Sequence, residues 1–279
     1  MIRKTRTESI LLYGTYLVFT LFFLYPLWIA LVGSLKTDAQ VLSTRVFVPV
    51  FPPSLSSYGE VLPKLIRPML VSFSVAAVVS GLGIFFGLLG GYVLSRKRSV
   101  WVVVLFSLVL FGNYIPPTTK VLPALKIMQF LGLYDTIIGL ALSIGSMVLP
   151  LSTLLFRQFF IQIPESYFEA ASIEGAHHLS LFSRIAVPLA KIPAFAVTVL
   201  TFAIGWNAYL IALVLTRGEA FERPIAITVV GLMEYAELYS KYNIMLAGGI
   251  LASVPVVALF LATQRYTTAG FRSLGGLEK

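Results

Sequence analysis

The chain has 279 residues, of which 58% are hydrophobic and 12% are charged, and its mean hydropathy is +0.89. A soluble domain carries roughly 25% charged residues, so this composition excludes an ordinary soluble enzyme or binding module. Cysteine is absent, which excludes a disulfide framework and thiol chemistry. The net charge of +9 does not indicate nucleic-acid binding, because no basic face is interleaved with aromatic residues. We interpret it as a signal of membrane topology.

The charged residues are clustered and leave six long uncharged segments. A helix needs about 20 residues to cross the hydrocarbon core of a bilayer, and each segment provides that length. Inside lipid every backbone amide must be hydrogen-bonded within its own segment, so we predict six transmembrane helices. The predicted spans are 10–33, 68–94, 100–119, 136–156, 192–215 and 243–264. The predicted fold class is an all-α integral membrane protein, with 1–279 as a single membrane domain.

Basic residues near the spans predict the orientation. Short basic clusters lie at 3–6, before the first span, and at 96–98, between the second and third spans. Such clusters favour the cytoplasm, whereas long loops translocate largely regardless of charge. We therefore expect both termini and the loop 160–190 in the cytoplasm, with external loops at 36–67 and 217–241. The first span is longer than a signal-peptide core and lacks a clear cleavage site, so we expect a retained helix.

The two predicted external loops differ in character. Prolines at four positions of the loop 36–67 favour an extended excursion with at most short helical turns. The loop 217–241 has a mixed-charge rim around the apolar stretch 224–233, which suits a transient protein contact. A helix lying on the membrane surface is an equally good interpretation of this second loop.

Three interruptions in the apolar segments stand out. Gly83, Gly87 and Gly91 recur at spacing four in the second span, which favours a close helix crossing, either within the chain or at a subunit interface. The third span ends at 113–117, where two prolines stop or kink the helix. In the fifth span Asn207 costs free energy unless it is hydrogen-bonded across helices or faces a polar cavity.

The sequence contains no residue pattern typical of catalysis, metal binding or ATP hydrolysis. His177 and His178 are the only histidines, and adjacent helical residues do not form a two-histidine metal face. No Gly-x-x-x-x-Gly-Lys phosphate loop occurs, and no carboxylate lies inside a predicted span, where an ion-coupled carrier normally keeps one. We therefore expect no cofactor or metal in this chain and no enzymatic activity of its own. Active transport would take its energy from a partner.

The loop 160–190 is the most informative segment, because it places a polar, alanine-rich stretch between two long apolar ones. Residues 169–185 read EAASIEGAHHLSLFSRI. Pro164 suits the first position of a helix, acidic residues in its early turns complement the helix dipole, and Gly175 is expected to end it. The apolar stripe expected after the glycine consists of Leu179, Phe182 and Ile185. An ordinary helix–turn–helix connector is the alternative.

This pattern resembles the EAA loop of ABC-importer permeases, where Glu-Ala-Ala, a glycine four residues later and a distal Ile-x-x-Pro mark the helix that docks into an ATPase subunit. The matching residues are Glu169-Ala170-Ala171, Gly175 and Pro188. The wider chain is similar to the smaller, six-span permease of carbohydrate importers of the maltose type. Further segments that carry the similarity are Ser34-Leu35-Lys36, 113–117, 131–136, 156–160, Gly205-Trp206-Asn207 and Gln264-Arg265-Tyr266.

The resemblance implies a type I ABC-importer permease fold with a cytoplasmic coupling helix, in a bacterial or archaeal inner membrane. It implies a heterodimer with a second permease, two ATP-binding subunits that hold ATP and Mg, and an external solute-binding protein. The function implied is import of a sugar or related polyol by alternating access. A permease for a peptide, an amino acid or an inorganic ion is the nearest alternative, since importers of several types share the EAA loop. A stand-alone channel or membrane enzyme would need a polar ring or catalytic group inside the spans, which the sequence does not offer.

Two sets of functional residues follow from the resemblance. The expected ATPase-coupling residues are Glu165, Glu169, Ala170, Ala171, Gly175, His177, Leu179 and Phe182. The expected substrate-path residues are Asn113, Tyr114, Trp206, Asn207 and Tyr209. For each path residue, helix packing or an interfacial position is an equally good explanation.

The chain departs from the usual family pattern at three places. Glu174 replaces the Asp that often precedes the loop glycine, and Val71-Ser72 replaces a frequent Asn-Ser. The tail 270–279 differs from the usual one, so no role at the ATPase interface is carried over to it.

Overall fold

The computed structural model describes residues 6–96, 99–112, 114–218 and 223–274, and within these ranges all regular secondary structure is helical. The helices before the loop 160–190 are α1 (Arg6–Ser34), α2 (Asp38–Ser43), α3 (Ser56–Arg96), α4 (Val100–Gly112), α5 (Pro117–Phe130) and α6 (Ile137–Ile161). The loop forms α7 (Ser166–Ile173), α8 (His178–Leu181), a π-helix (Phe182–Ala186) and α9 (Val187–Leu189). The remaining helices are α10 (Lys191–Trp206), α11 (Tyr209–Leu215), α12 (Ile225–Tyr239) and α13 (Tyr242–Leu274).

Four helical segments in the described ranges are long and apolar enough to cross a membrane. They are Leu11–Ser34, Ser56–Arg96, Ile137–Ile161 and Tyr242–Gln264. Two bent pairs raise the number to six if each pair counts as one span: α4 with α5, bent by 102°, and α8–α9 with α10, bent by 72°. The described ranges therefore contain six candidate spans, the predicted number, only if the broken helices are counted.

The predicted spans 100–119 and 192–215 are not continuous helices. α4 ends at Gly112, and the chain turns before α5 begins at Pro117, because a proline ring cannot continue the preceding helix. α10 ends at Trp206, with Asn207 as its C-cap. Ala203 O accepts both from the Asn207 backbone N–H at 3.1 Å and from the Asn207 side-chain nitrogen at 2.9 Å, so the side chain folds back on the last turn of α10.

The predicted irregular loop 36–67 is wrong for 56–67, since α3 begins at Ser56, twelve residues before the predicted span. Pro63 lies inside this helix. Val61 and Leu65, four residues apart on one helical face, are fully buried, and this packing compensates for the hydrogen bond that the proline removes. The short helix α2, closed by a capping box between Thr37 and Gln40, is the kind of helical turn that was expected.

The predicted external loop 217–241 contains α12. Its apolar residues Ile225, Ile227 and Leu232 are buried within the chain. The apolar stretch 224–233 therefore packs against the protein itself, and the prediction that it forms the centre of a contact surface is wrong.

The chain forms two compact units. The first unit comprises Met1–Ile66 and Val229–Ser253, and its interior contains a polar network. Lys36 is fully buried and donates to Thr44 Oγ1 at 3.0 Å and to Arg45 O at 2.7 Å. Asn243, also buried, donates to Lys36 O at 3.1 Å. Burial without a carboxylate among these partners lowers the pKa of the Lys36 ammonium.

The second unit comprises Arg67–Thr228 and Val254–Lys279, and in it α3 packs closely on α6. The glycines of α3 make this approach possible. A Cβ at Gly87 would lie 2.8 Å from the Cβ of Ser152, and one at Gly91 would lie 2.6 Å from the Cβ of Phe156. The intramolecular interpretation of the glycine spacing is thus confirmed for these two positions.

Candidate functional site

The helix α7 has well-defined ends. Glu165 occupies its N-cap position, so the helix begins two residues after the predicted start at Pro164. At the other end Gly175 N donates to Ser172 O at 3.0 Å, and Ala176 N donates to Ala171 O at 3.0 Å. This is a Schellman motif, and it requires the left-handed backbone that Gly175 adopts, with φ of +84°. The predicted helix end at Gly175 is confirmed.

The inner side of α7 is anchored by Phe168. This side chain is 6% exposed and belongs to a cluster that includes Phe160 and Leu181. The Arg96 guanidinium, at the end of α3, lies 3.7 Å from the centre of the Phe168 ring, and its Nη2 donates to Phe160 O at 3.3 Å. The ring of Tyr92, one turn earlier in α3, lies 6.2 Å from that of Phe168. α7 is therefore held against α3 and α6 by aromatic packing and a cation–π contact.

The outer side of α7 and the turn after it are exposed. Among the predicted coupling residues, Ala171 and Phe182 are half-buried, while the exposed ones are Glu165, Glu169, Ala170, Gly175, His177 and Leu179. Sequence reasoning missed the exposed apolar residues Tyr167 and Ile173, the latter 88% exposed. These side chains project from the same short helix as the acidic residues. Together they give a surface with apolar and acidic groups, of the kind that docks against another protein.

The predicted apolar stripe of Leu179, Phe182 and Ile185 is wrong as a single face. Leu179 is 77% exposed, whereas Phe182 and Ile185 pack on the aromatic cluster, with the Phe182 ring 5.2 Å from that of Tyr92. Leu179 lies in α8, before the π-helix Phe182–Ala186 that contains the other two residues. The i→i+5 hydrogen bonds of the π-helix add a residue to the turn and rotate the following side chains relative to α-helical spacing.

A second candidate site is a cavity of about 770 Å³ in the second unit. Three of the predicted path residues line it, namely Tyr114, Asn207 and Tyr209. Trp206 does not line it, since its side chain is 2% exposed and its ring stacks on Phe202 at 5.9 Å. The prediction for Asn113 falls outside the described residues. The walls are otherwise mainly aliphatic, from α6 and the α10–α11 region.

Sequence reasoning also missed Lys120, which lines this cavity from the first turns of α5. It directly follows the predicted span 100–119, and the bend between α4 and α5 places it in the lining of the same cavity as Asn207 and Tyr209. In the part of the chain that the structure describes, no group of three or more His, Cys, Asp and Glu residues is placed to hold a metal ion.

The comparison with known proteins is decisive for the family. Residues 82–272 match the family described as binding-protein-dependent transport system inner membrane component. The chain belongs to this family. Its members are transport components of ABC importers, and membership places the chain in a membrane. The all-α membrane permease predicted from the sequence is thereby confirmed.

Individual permeases resemble the chain over nearly its whole length. The glucose import system permease protein GlcU of Saccharolobus solfataricus is 31% identical over 268 residues, which cover 93% of this chain and 92% of that protein. The crystal structure of a bacterial ABC transporter that imports the acidic polysaccharide alginate matches with a TM-score of 0.72 and 25% identity, covering 95% and 99% of the two chains. A second crystal structure, of a bacterial alginate ABC transporter in complex with a periplasmic protein bound to alginate pentasaccharide, has a TM-score of 0.68 at 15% identity and shows the same fold.

Proposed function

We propose that this permease is one subunit of an ATP-driven importer for a sugar or related polyol. It forms the translocation path with a second permease and is driven by two ATP-binding subunits, because its own sequence holds no phosphate loop. An external solute-binding protein delivers the substrate. The import of glucose and alginate by its relatives supports the substrate class, and the alginate complex with a periplasmic protein supports the delivery step.

The observation that carries this proposal is the arrangement of α7. Its outer side is exposed while its inner side is fixed through Phe168 to α3 and α6. Such a helix can be bound by an ATPase on one side and remain packed on the transport helices on the other. It then transmits a rigid-body movement from the ATPase to the transport helices, provided that both contacts stay intact. α7 meets both structural requirements.

The docking surface can be tested by charge reversal. In Glu169→Lys the exposed acidic group in the first turn of α7 is replaced by a cation, which also opposes the helix dipole. We expect the variant to insert into the membrane normally but to lose co-purification of the ATP-binding subunits. The matched control is Glu237→Lys, which reverses an exposed charge in α12. Normal co-purification and uptake with the α7 variant would contradict the docking role of this helix.

Replacing an exposed apolar residue tests the same surface without a change of charge. Leu179→Ser removes an exposed side chain that contributes little to folding. We expect weakened ATPase binding and reduced coupling of hydrolysis to uptake. Leu122→Ser, at a similarly exposed position in α5, is the control and should leave ATPase binding unchanged.

The proposal places α7 and both termini in the cytoplasm, on the basis of the short basic clusters. The absence of native cysteine makes this testable by labelling. Ser172→Cys in α7 should be protected from an impermeant thiol reagent added outside intact cells, whereas Glu237→Cys in α12 should react; both positions are exposed. Reaction of the α7 cysteine from outside would overturn the orientation.

A further inference from the structure

Lys120 is the charged side chain of the cavity in the second unit. It is half-buried, and it forms no hydrogen bond or ion pair with any residue that the structure describes. No Asp or Glu lies among the lining residues described for this cavity. The side chain therefore lies against the cavity wall, and no carboxylate among the described lining residues balances its charge.

This position is unfavourable for a lysine with only a structural role. Partial burial of a charge costs free energy unless an opposite charge compensates. Lys120 is also the fourth residue of α5, near the positive end of the helix dipole, which disfavours a cation. By comparison, the charge of Lys241 in the first unit is balanced by an ion pair, since its ammonium lies 3.3 Å from a carboxylate oxygen of Glu60. An unbalanced charge at a membrane-protein cavity indicates a functional site.

The neighbouring groups are suited to a small polar ligand with an apolar face. The Asn207 amide nitrogen donates to Ala203 O, which leaves its side-chain oxygen without a partner among the described residues and able to accept from a hydroxyl. Tyr114 and Tyr209 offer rings and phenol groups, and aliphatic side chains form most of the remaining wall. The volume of about 770 Å³ lies within the roughly 300–1,000 Å³ typical of small-molecule sites.

We propose that this cavity binds a sugar that carries an anionic group, a carboxylate or a phosphate, and that Lys120 pairs with that group. The inference rests on the proposed function and narrows its substrate class. Asn207 and the two tyrosines recognise the sugar hydroxyls and ring, which neutral and anionic sugars share. Lys120 alone distinguishes between them.

The test is equilibrium binding to the complete transporter, reconstituted in discs of phosphatidylcholine so that no anionic lipid headgroup competes for Lys120. The probes are glucose, glucuronate and glucose 6-phosphate. We expect the wild type to bind at least one anionic sugar more tightly than glucose, and the preferred probe identifies the carboxylate or the phosphate. Because a hydrogen bond to a charged group is among the stronger ones, Lys120→Met should weaken that binding roughly 10- to 100-fold and leave glucose binding unchanged.

Two further variants separate charge recognition from a packing effect. Lys126→Met removes a lysine two turns along the same helix that does not line the cavity, and it should change no affinity. Lys120→Cys should lose the preference for the anion, and alkylation with 2-bromoethylamine should restore it by rebuilding an ammonium at the same reach. The cysteine-free chain makes this reaction selective when the partner subunits lack reactive thiols.

The outcomes separate this inference from the proposed function. Glucose binding without any preference for its anionic derivatives, or equal losses for all three probes in Lys120→Met, would overturn the role of Lys120 and leave a sugar permease standing. Failure of the wild type to bind any of the three probes would overturn this inference and would also contradict the import of a hexose.

Discussion

Replacing Phe168 by Ala should release α7 from the transport helices without altering its outer surface. The side chain is 6% exposed, and its ring faces the Arg96 guanidinium at 3.7 Å. Truncating a buried Phe to Ala costs about 3–5 kcal/mol, part of which is the cation–π contact worth about 0.5–2 kcal/mol. α7 has eight residues, and isolated helices shorter than about 12–15 residues are marginal in water. The helix has little intrinsic stability to offset the loss.

Hydrogen exchange of the α7 amides in the assembled transporter measures this effect. A loss of about 3–5 kcal/mol corresponds to a fall in protection of roughly 100- to several-thousand-fold, limited by the opening free energy of the helix itself. We expect ATP hydrolysis to continue with little uptake, since the bound helix no longer moves the spans. Phe130→Ala, which removes an 89% exposed ring in α5, is the control and should leave the protection of the α7 amides unchanged. Unchanged exchange in Phe168→Ala would refute the anchoring role.

Three other substitutions test features of the same fold. Gly175→Val should destabilise the end of α7 by about 1–2 kcal/mol, because φ is +84° there, and should raise its amide exchange at the C-terminus. Ser72→Ala should lower the free energy of unfolding by about 1–3 kcal/mol, because the buried Ile225 N–H loses the Ser72 hydroxyl that now accepts from it at 2.7 Å. Ser74→Ala, on the exposed side of α3, is the control and should leave the free energy of unfolding unchanged. Burial lowers the pKa of Lys36 below 10.5, so between the lowered pKa and 10.5 the unfolded state binds more protons than the folded state. The free energy of unfolding should therefore rise with pH in this window. Lys36→Met should flatten that rise when unfolding is measured at a series of pH values.

The sequence was sufficient to predict a structural feature where that feature depends on the chemistry of a few neighbouring residues. The end of α7 follows from Gly175 alone, because only glycine enters the left-handed region without a steric cost. The close α3–α6 crossing follows from glycines at spacing four, and the break before α5 follows from two successive prolines. In each case a single residue type determines which backbone conformation or helix approach is possible.

Features that depend on tertiary packing were not accessible in this way. α3 extends back to Ser56 because Val61 and Leu65 find buried positions, which the prolines of that segment obscure. The stripe predicted from α-helical spacing failed because Phe182 and Ile185 pack on the aromatic cluster while Leu179 stays exposed, and the π-helix at 182–186 carries no distinct residue signature. Lys120 became a cavity residue only through the 102° bend between α4 and α5, an angle that no sequence pattern specifies.

The glycine face of α3 also limits how this chain can evolve. At Gly91 a methyl group would meet the Arg157 backbone nitrogen at 2.8 Å, and backbone cannot move aside as a flexible side chain does. At Gly81 a methyl group would meet nothing within 4 Å. Random mutagenesis under selection for uptake should therefore recover alanine at 81 freely, with a gain in helix stability of roughly 0.5–1 kcal/mol, and reject it at 91. Two glycines in one helix thus differ in mutational tolerance, one being open to drift and the other held fixed by the neighbouring main chain.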